Sequence, residues 1–365
     1  MWIIEISNMR KAWLLLILFF TCFTIAFSQK KHTVVDFLLK IESFGSDFVT
    51  FDFASGNYKK YLVLITDNKE VNNKIVSKEK IEYTSDSISI KSLKRVNNWG
   101  FIILCSDKKI KKKLYLKDLE PRNDYYLVFY SLKGKDTFQI ERKITFSTLA
   151  KRPTRQALNL AFDDVTDSSF VVSWVNGSGE GRILVLAEGE RLETPENGKD
   201  YGSSSVFGKG GIIGNKCFVV YDGKEPRPKV KVTGLEPSTK YTIAVFEYNG
   251  EGKYRHYNLA KESNNPRVLT TRLSPPKISS IEKVDENVYE IRWQESKGAT
   301  SYILDVAKDK DFKQFVEPYQ ELDIGDLQKY EISDLVPNEK YFIRMKAKGP
   351  NGESAYSPTF ELKTK

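Results

Sequence analysis

The densest charge in the sequence is a basic run at residues 108–113, in which five of the six residues are lysine. Lys111, Lys112 and Lys113 fall where this run passes into a predicted strand. Clustered ammonium groups attract anionic polysaccharides, nucleic acids and lipid head groups. Lysines on the edge strand of a sheet also deter unwanted strand pairing, so the run has a structural interpretation beside the binding one.

A second candidate for recognition is the segment 249–258, which follows a predicted strand and contains two glycines. Its aromatic and basic side chains are of types that are enriched at binding sites. They are Tyr254, Arg255, His256 and Tyr257. Loops at the ends of a β-sandwich often carry recognition, because a rigid scaffold positions them. The alternative interpretation is a long, partly ordered loop with no binding role.

Residue types that build common catalytic and metal sites are scarce. The sequence has only two histidines, His32 and His256, which argues against histidine-based zinc sites and Ser-His-Asp triads. The glycine-rich segments 177–181 and 208–211 superficially resemble phosphate-binding loops. Neither opens a predicted helix, so we interpret both as turns. The sequence therefore predicts no enzymatic activity, no metal site and no cofactor.

The composition describes a globular chain without a disulfide framework. The 365 residues are 40% hydrophobic and 13% aromatic, and their formal net charge of +9 is modest for this length. Of the three cysteines, Cys22 lies in a segment that we expect to be removed, while Cys105 and Cys217 lie in separate repeats. A bridge between the last two is not expected, so each domain must be stabilised by its own apolar core.

The N-terminus has the pattern of a secretory signal peptide covering residues 1–28. Two basic residues precede an apolar run at 12–27, and Ala26 and Ser28 supply the small residues of a cleavage site after Ser28. An uncleaved anchor is the alternative, although a spanning helix needs about 20 apolar residues and this run is shorter. We expect a mature chain that is secreted or located in the cell envelope and has no transmembrane span.

The elements that must position the candidate residues are revealed by a motif that occurs three times, Leu-x-Pro-x-x-x-Tyr, each time followed by a predicted strand. The copies end at Tyr125, Tyr241 and Tyr341. We interpret each copy as a tyrosine corner, in which proline turns the chain between two sheets and the tyrosine hydroxyl reaches back to the backbone a few residues upstream. Trp174 and Trp293 lie in alternating strands and are predicted to be buried in the core.

Together with Tyr302 in the next strand, these corners and tryptophans resemble tandem fibronectin type III domains of a secreted or cell-surface, bacterial-type multidomain protein. The resemblance implies an all-β fold of three tandem fibronectin type III (immunoglobulin-like) β-sandwiches after the signal peptide. The predicted domains cover residues 33–148, 153–272 and 275–365. The first is divergent, since Asp52 stands where the second has Trp174, and Phe51 or Phe53 must fill its core.

The first and second repeats carry a long insert that the third lacks. In the second repeat it is the additional segment at 191–215, and this longer form resembles a type III variant of secreted bacterial proteins. The last motif strand of the second repeat is apolar on the outward side, at Ala244, Phe246 and Tyr248, and we assign Leu184 and Leu186 of a neighbouring strand to the same side. Large exposed apolar patches are rare, so we expect the additional segment to cover this face and to bury both rings. A contact between domains and a partner-binding face are the alternatives.

The corresponding strands of the other two repeats differ from each other. The first repeat is again apolar on the outward side, at Tyr126, Val128 and Tyr130. The third repeat places Arg344, Lys346 and Lys348 there, so we expect that face to meet water.

The predicted function is a non-catalytic, secreted or cell-surface scaffold or adhesion protein that mediates protein–protein interaction. The alternative is a carbohydrate- or polyanion-binding accessory protein of an extracellular or outer-membrane assembly. The expected partners are a protein or polysaccharide at the cell surface, with acidic polymers as a further candidate. We expect no specific nucleic acid.

Overall fold

The computed structural model describes residues 38–71, 73–77, 81, 85–96 and 100–365. The predicted signal peptide and the first residues of the predicted first domain lie outside this part. None of the helices in the described ranges has the length and hydrophobicity of a membrane span. The chain divides into two compact units, Met1–Thr148 and Leu149–Lys365, and each is built from sandwich-like pairs of sheets. The all-β prediction is confirmed.

The described part of the first unit contains two sheets, with the strand orders β1-β2-β8-β5 and β4-β10-β9-β3-β7-β6. A short 3-10 helix at Ile90–Ser92 separates β5 from β6. The strands are β1 Leu38–Phe44, β2 Phe48–Ala54, β3 Tyr61–Thr66, β4 Lys74–Val76, β5 Ser87–Ser89, β6 Lys94–Val96, β7 Gly100–Ser106, β8 Lys111–Lys117, β9 Asp124–Leu132 and β10 Thr137–Ser147.

Strand β2 alternates between partly buried and buried residues, as expected for a strand with one face on a core. Phe51 and Phe53 point inward and are fully buried, so they fill the space that a tryptophan takes in the later repeats. Asp52 lies between them and points to the opposite face. This part of the sequence prediction is confirmed.

The first sheet pair of the second unit has the strand orders β11-β12-β16 and β14-β15-β13-β17-β18, with β19 also pairing with β17. A 3-10 helix at Gly252–Tyr254 follows β17. The strands are β11 Leu158–Asp163, β12 Ser169–Val175, β13 Gly181–Glu188, β14 Ile212–Ile213, β15 Cys217–Gly223, β16 Lys229–Thr233, β17 Lys240–Asn249, β18 His256–Tyr257 and β19 Arg267–Thr270.

The second sheet pair of this unit has the orders β20-β21-β24 and β23-β22-β25-β26, with β27 also pairing with β25. Its strands are β20 Lys277–Asp285, β21 Val288–Gln294, β22 Ser301–Ala307, β23 Leu322–Asp323, β24 Lys329–Ile332, β25 Lys340–Gly349, β26 Gly352–Glu353 and β27 Phe360–Lys363. We call the sheet pairs of β11–β19 and β20–β27 the second and third sandwiches. The division at residues 153–272 and 275–365 stays a prediction.

All three tyrosine corners form as predicted. The hydroxyls of Tyr125, Tyr241 and Tyr341 each accept a hydrogen bond of 2.9 Å from the backbone N–H five residues upstream. The residue after each motif proline has a positive φ, between 47° and 63°. Proline followed by a residue of positive φ is the backbone of a type II turn. Trp174 and Trp293 are buried in the second and third cores, as predicted.

A threonine in the closing strand region completes each corner, and the sequence prediction missed it. Thr271 accepts a hydrogen bond from the N–H of Thr239 at 2.9 Å and donates one to the carbonyl of Glu236 at 2.6 Å. Thr148 and Thr364 make the corresponding bonds in the other two corners. The three side chains are buried, so these hydroxyls tie the end of each sheet pair to its turn.

The additional segment covers the outer face of the second sandwich, as predicted. Leu192, Tyr201 and Ile213 pack against the outward side of β13 and β17. The side chains of Phe246 and Tyr248 retain only 6% and 2% of their exposure. If this face were open for a partner, both rings would have large exposed fractions.

The assignment of Leu184 and Leu186 to that outer face was wrong. They pair directly with Val245 and Ile243 of β17, and directly opposed residues share a face of the sheet. Since Val245 and Ile243 point into the core between the sheets, both leucines do so as well. The outward residues of β13 are Ile183, Val185 and Ala187.

We expect Thr271→Val to lower the free energy of unfolding of the second unit by about 1 to 3 kcal/mol, because at nearly constant volume it removes the partner of the buried N–H of Thr239 and of the carbonyl of Glu236. Urea unfolding monitored by tryptophan fluorescence measures this. Thr270→Val, on the partly exposed neighbour, is the control and should change stability by less than about 0.5 kcal/mol. Equal effects of the two substitutions would contradict the corner role of Thr271.

Candidate binding site

The segment 249–258 is largely folded into the second sandwich. Arg255 and Tyr257 are buried, while Tyr254 and His256 are partly buried. Two of the four predicted recognition residues, Arg255 and Tyr257, therefore face inward. Binding by this loop remains a prediction, and only Tyr254 and His256 keep part of their surface available for it.

Arg255 forms the centre of a polar cluster under the additional segment. Its guanidinium lies 2.8 Å from Asp222 Oδ2 and 2.7 Å from Asp200 Oδ1, and it stacks 3.8 Å from the ring centroid of Tyr248. A buried charge is costly unless it is paired. Here Nη1 donates a hydrogen bond to Asp222, whereas Nε contacts Asp200 as an ion pair without hydrogen-bond geometry. We call this set, with Tyr257, the arginine clasp.

Tyr257 joins the clasp to the additional segment by two bonds. Its hydroxyl donates to the carbonyl of Lys199 at 2.9 Å, and its backbone N–H donates to Asn197 Oδ1 at 2.9 Å. Burial raises the pKa of both Tyr257 and Tyr248 well above the ordinary value, so both hydroxyls stay protonated and act as donors. The clasp therefore holds the additional segment in place on the sheet.

His256 anchors the start of the second unit. Its Nδ1 lies 2.8 Å from the carbonyl oxygen of Ala150. Burial lowers the pKa of this imidazole, which favours the neutral form with the proton on Nδ1. Its position is explained by this backbone contact without a ligand.

The glycine-rich turn at 177–181 binds an anion that belongs to the protein itself. The N–H groups of Gly177 and Gly179 donate to the carboxylate of Glu247 at 2.9 and 2.8 Å, and Arg182 pairs with the same carboxylate. A Cβ on Gly177 would lie 2.2 Å from the carbonyl oxygen of Arg155, so the close approach requires glycine. The resemblance to an anion-binding loop thus has an internal cause, and the turn prediction stands.

The sequence did not predict an apolar cleft that lies on the outer face of the second sandwich. It has a volume of about 140 Å³ and lies between the segments 190–194 and 259–266, over Ala244 and Phe246. Leu259 stands at its rim with 41% of its surface exposed. The cleft lies beside the first residues of the additional segment, at the border of the area that this segment covers.

An interruption of the last strand forms one wall of this cleft. Between β18 and β19 the chain leaves the sheet, and the side chain of Asn265 bonds both backbone groups of Val245, at 3.0 and 2.9 Å. The buried amide replaces a strand partner, so the segment 259–266 can bulge outward without leaving Val245 unsatisfied. A rigid wall of this kind suits the recognition of one apolar side chain.

The three predicted lysines lie in the first unit, at the start of β8. Lys111 and Lys113 are exposed on the outer face of the sheet, and Lys112 reaches Asp86 at 3.2 Å. Strand β5 pairs in parallel with Tyr115–Lys117, so β8 is not an edge strand along its whole length. The lysines and the segment 254–257 belong to different compact units.

The outer face of the third sandwich is less exposed to water than predicted. The guanidinium of Arg344 lies between the rings of Phe312 and Tyr356, at 3.9 and 3.8 Å from their centroids. It also pairs with the buried carboxylate of Asp305 at 2.9 Å. Stacking on aromatic rings covers the side chain while its charge stays compensated, so this prediction needs correction.

Residues suited to metal or thiol chemistry are dispersed. Within the described ranges, His, Cys, Asp and Glu side chains form no group of three that could hold a metal ion. Cys105 and Cys217 are buried thiols, and burial raises the pKa of the Cys217 thiol. A buried thiol of raised pKa is a weak nucleophile.

The paired sheets and their tyrosine corners define a β-sandwich protein. Residues 152–263 match the family model described as Fibronectin type III domain. Domains of this family are typically non-catalytic protein-interaction modules. Among solved structures, the chain is similar to the FN1-FN3 domains of chicken CNTN1, with 16% sequence identity, coverage of 90% of this chain and 97% of that chain, and a TM-score of 0.23.

We expect Arg255→Met to lower the free energy of unfolding of the second unit by about 2 to 3 kcal/mol, because it removes charged hydrogen bonds and leaves Asp222 without its cation. Urea unfolding measures the change. Lys253→Met, two residues away on the exposed side, is the control and should cost less than about 0.5 kcal/mol. If both variants unfold like the original chain, Arg255 does not hold the additional segment.

Proposed function

We propose that the chain is a non-catalytic scaffold or adhesion protein, secreted or located at the cell surface, that binds another protein through its second sandwich. The observation that carries this proposal is the apolar cleft between segments 190–194 and 259–266. The family match at residues 152–263 supports it, since such domains typically serve protein interaction. The signal-peptide pattern of residues 1–28 supports the location.

The surroundings of the cleft favour a protein partner. Val268 of β19 lies opposite Thr242, beside the cleft, and keeps 51% of its surface exposed. Leu259 lines the cleft itself, so exposed apolar side chains lie both at the cleft and next to it. Protein interfaces combine a buried apolar centre with a polar rim, and Glu190 and Lys261 supply charges at the edge of the cleft.

A substitution at the cleft tests this function. We expect Leu259→Glu to remove the proteins that the original chain captures by crosslinking in its native cells, since a carboxylate at the rim opposes burial of an apolar side chain. Mass spectrometry of the captured material measures the loss.

Leu327→Glu is the matched control, because Leu327 lies in the third sandwich with a similar exposure of 45%. It should leave the captured set unchanged. Identical capture by the original chain and by Leu259→Glu would contradict binding through the cleft.

A second candidate function, carbohydrate or polyanion binding, is favoured by one observation in the first unit. Lys111, Lys113 and Lys117 lie at alternate positions of β8 and are all exposed. Alternate residues of a strand point to the same face, so the three ammonium groups form one basic row. Such a row attracts a linear polyanion.

Retention on heparin resin tests the second function. We expect the double variant Lys111→Gln, Lys113→Gln to elute at lower salt than the original chain, because exposed ionic contacts are screened and weaken with each charge removed. The control is Lys229→Gln, Lys231→Gln, which removes two exposed lysines from β16 of the second sandwich. Absence of retention of the original chain would end this proposal.

A further inference from the structure

We propose that the outer face formed by β2 and β8 binds an acidic polysaccharide, whose carboxylates or sulfates contact the basic row while a sugar ring packs on the stacked pair Phe48 and Tyr115. This inference rests on the second candidate function and names its ligand class. It adds aromatic and acidic residues that the lysine run alone did not indicate.

Strand register places two complementary rows side by side. On β8, Lys111, Lys113, Tyr115 and Lys117 point outward, whereas Leu114 and Leu116 are buried. On β2, the residues directly opposite Lys113, Tyr115 and Lys117 are Asp52, Thr50 and Phe48. Six residue steps along β8 span roughly 20 Å, so the face can accommodate several sugar units of an extended chain.

The aromatic pair supplies a platform at one end of this face. The rings of Phe48 and Tyr115 are stacked, with centroids 5.3 Å apart and an interplanar angle of 28°. Tyr115 keeps 36% of its surface exposed. The electron-rich face of an aromatic ring attracts the C–H groups on the flat side of a pyranose, while adjacent lysines reach the acidic substituents.

A depression lies at the lysine end of β2 and β8, and its lining combines outward residues with Phe53 and Lys112, which alternate with them. Leu38, Asp52 and Phe53, together with Lys111, Lys112 and Lys113, line a surface depression of about 330 Å³. Because the aromatic pair and the basic depression follow one another along the strands, a bound chain would run parallel to them. This arrangement also separates the site from a lysine-rich surface that is merely solvated.

An acid in the middle of the face favours a sugar over a nucleic acid. Asp52 lies 3.9 Å from the Nζ of Lys113, and 34% of its side chain is exposed. A carboxylate repels phosphates, carboxylates and sulfates alike, but it accepts hydrogen bonds from the hydroxyls that a polysaccharide carries on its units and that the sugars inside a DNA strand lack. Thr50 adds a hydroxyl beside it. A ligand that carries both hydroxyls and carboxylates can satisfy all of these groups.

The second sandwich offers an internal comparison. Its strand β16 also exposes two lysines, Lys229 and Lys231, but the residues opposite them on β12 are Ser173 and Val171. The charge is therefore similar, whereas the aromatic platform and the central acid are missing from these positions. The proposed site depends on the combination and not on lysine alone.

The test measures binding of the full chain to polygalacturonate, with its neutral methyl ester and a single-stranded oligothymidylate as further probes. We expect binding to polygalacturonate to exceed binding to both. We expect Tyr115→Thr and the double variant Lys111→Gln, Lys113→Gln each to weaken it roughly threefold to tenfold, and Lys229→Gln, Lys231→Gln to leave it unchanged.

The outcomes distinguish failure of the polysaccharide proposal from failure of polyanion binding as a function of this face. If Tyr115→Thr binds like the original chain, or if oligothymidylate binds as tightly as polygalacturonate, the polysaccharide site is refuted and polyanion binding by charge alone remains. If no anionic probe binds, both fall. Circular dichroism of Tyr115→Thr verifies folding, since threonine retains a high preference for strands.

Discussion

A sheet that is apolar on both faces must be covered on both faces, and the second sandwich is organised around this constraint. Strands β13 and β17 are buried along nearly their whole length. The segment 191–215 removes the outer face from water. It also pairs with β16, where the N–H of Phe207 donates to the carbonyl of Thr233 and the carbonyl of Ser205 accepts from the N–H of Thr233. A cover made of loop needs fastening, because its backbone has few partners of its own. Arg255 supplies that fastening between Asp222 and Asp200.

The other sheet pairs solve the same problem differently. In the first unit, Ile75 of β4 and Phe138 of β10 belong to an apolar cluster on the outer face, with Tyr130 of β9 below them. Here Val71, Ile75 and Ile81, from the chain between β3 and β7, pack on that face. The third sandwich alternates cations on its outer face, so it requires only the stacking of Phe312 and Tyr356 on a guanidinium. The extent of cover therefore follows the apolar content of the central strands.

Local motifs made the fold predictable, and non-local register limited the prediction of the site. The tyrosine corner lies within seven residues and could be recognised three times. In contrast, every residue from Arg182 to Ala187 of β13 is buried, so no alternation indicated which face Leu184 takes. Its pairing with β17 decides that, and a shift by one residue would reverse it. The residue type and loop position of Arg255 predict a role in recognition, and its carboxylate partners could not be recognised because they lie 33 and 55 positions earlier in the sequence. The repeated threonine at Thr148, Thr271 and Thr364 could have been found by aligning the three closing strands.

Protection of a sheet edge accounts for only part of the basic row on β8. Lys111 and Lys113 lie where β8 has no strand partner on one side among the described residues, and charge there deters pairing. Lys117 lies in the half that β5 already occupies, so the same reason does not apply to it. Core packing does not require it either, since Leu114 and Leu116 fill the inner side. Stacking with Phe48 leaves Tyr115 in contact with water beside this lysine. Neither edge protection nor core packing explains Lys117 and the exposed ring of Tyr115. Such residues distinguish a binding surface from a solvated one.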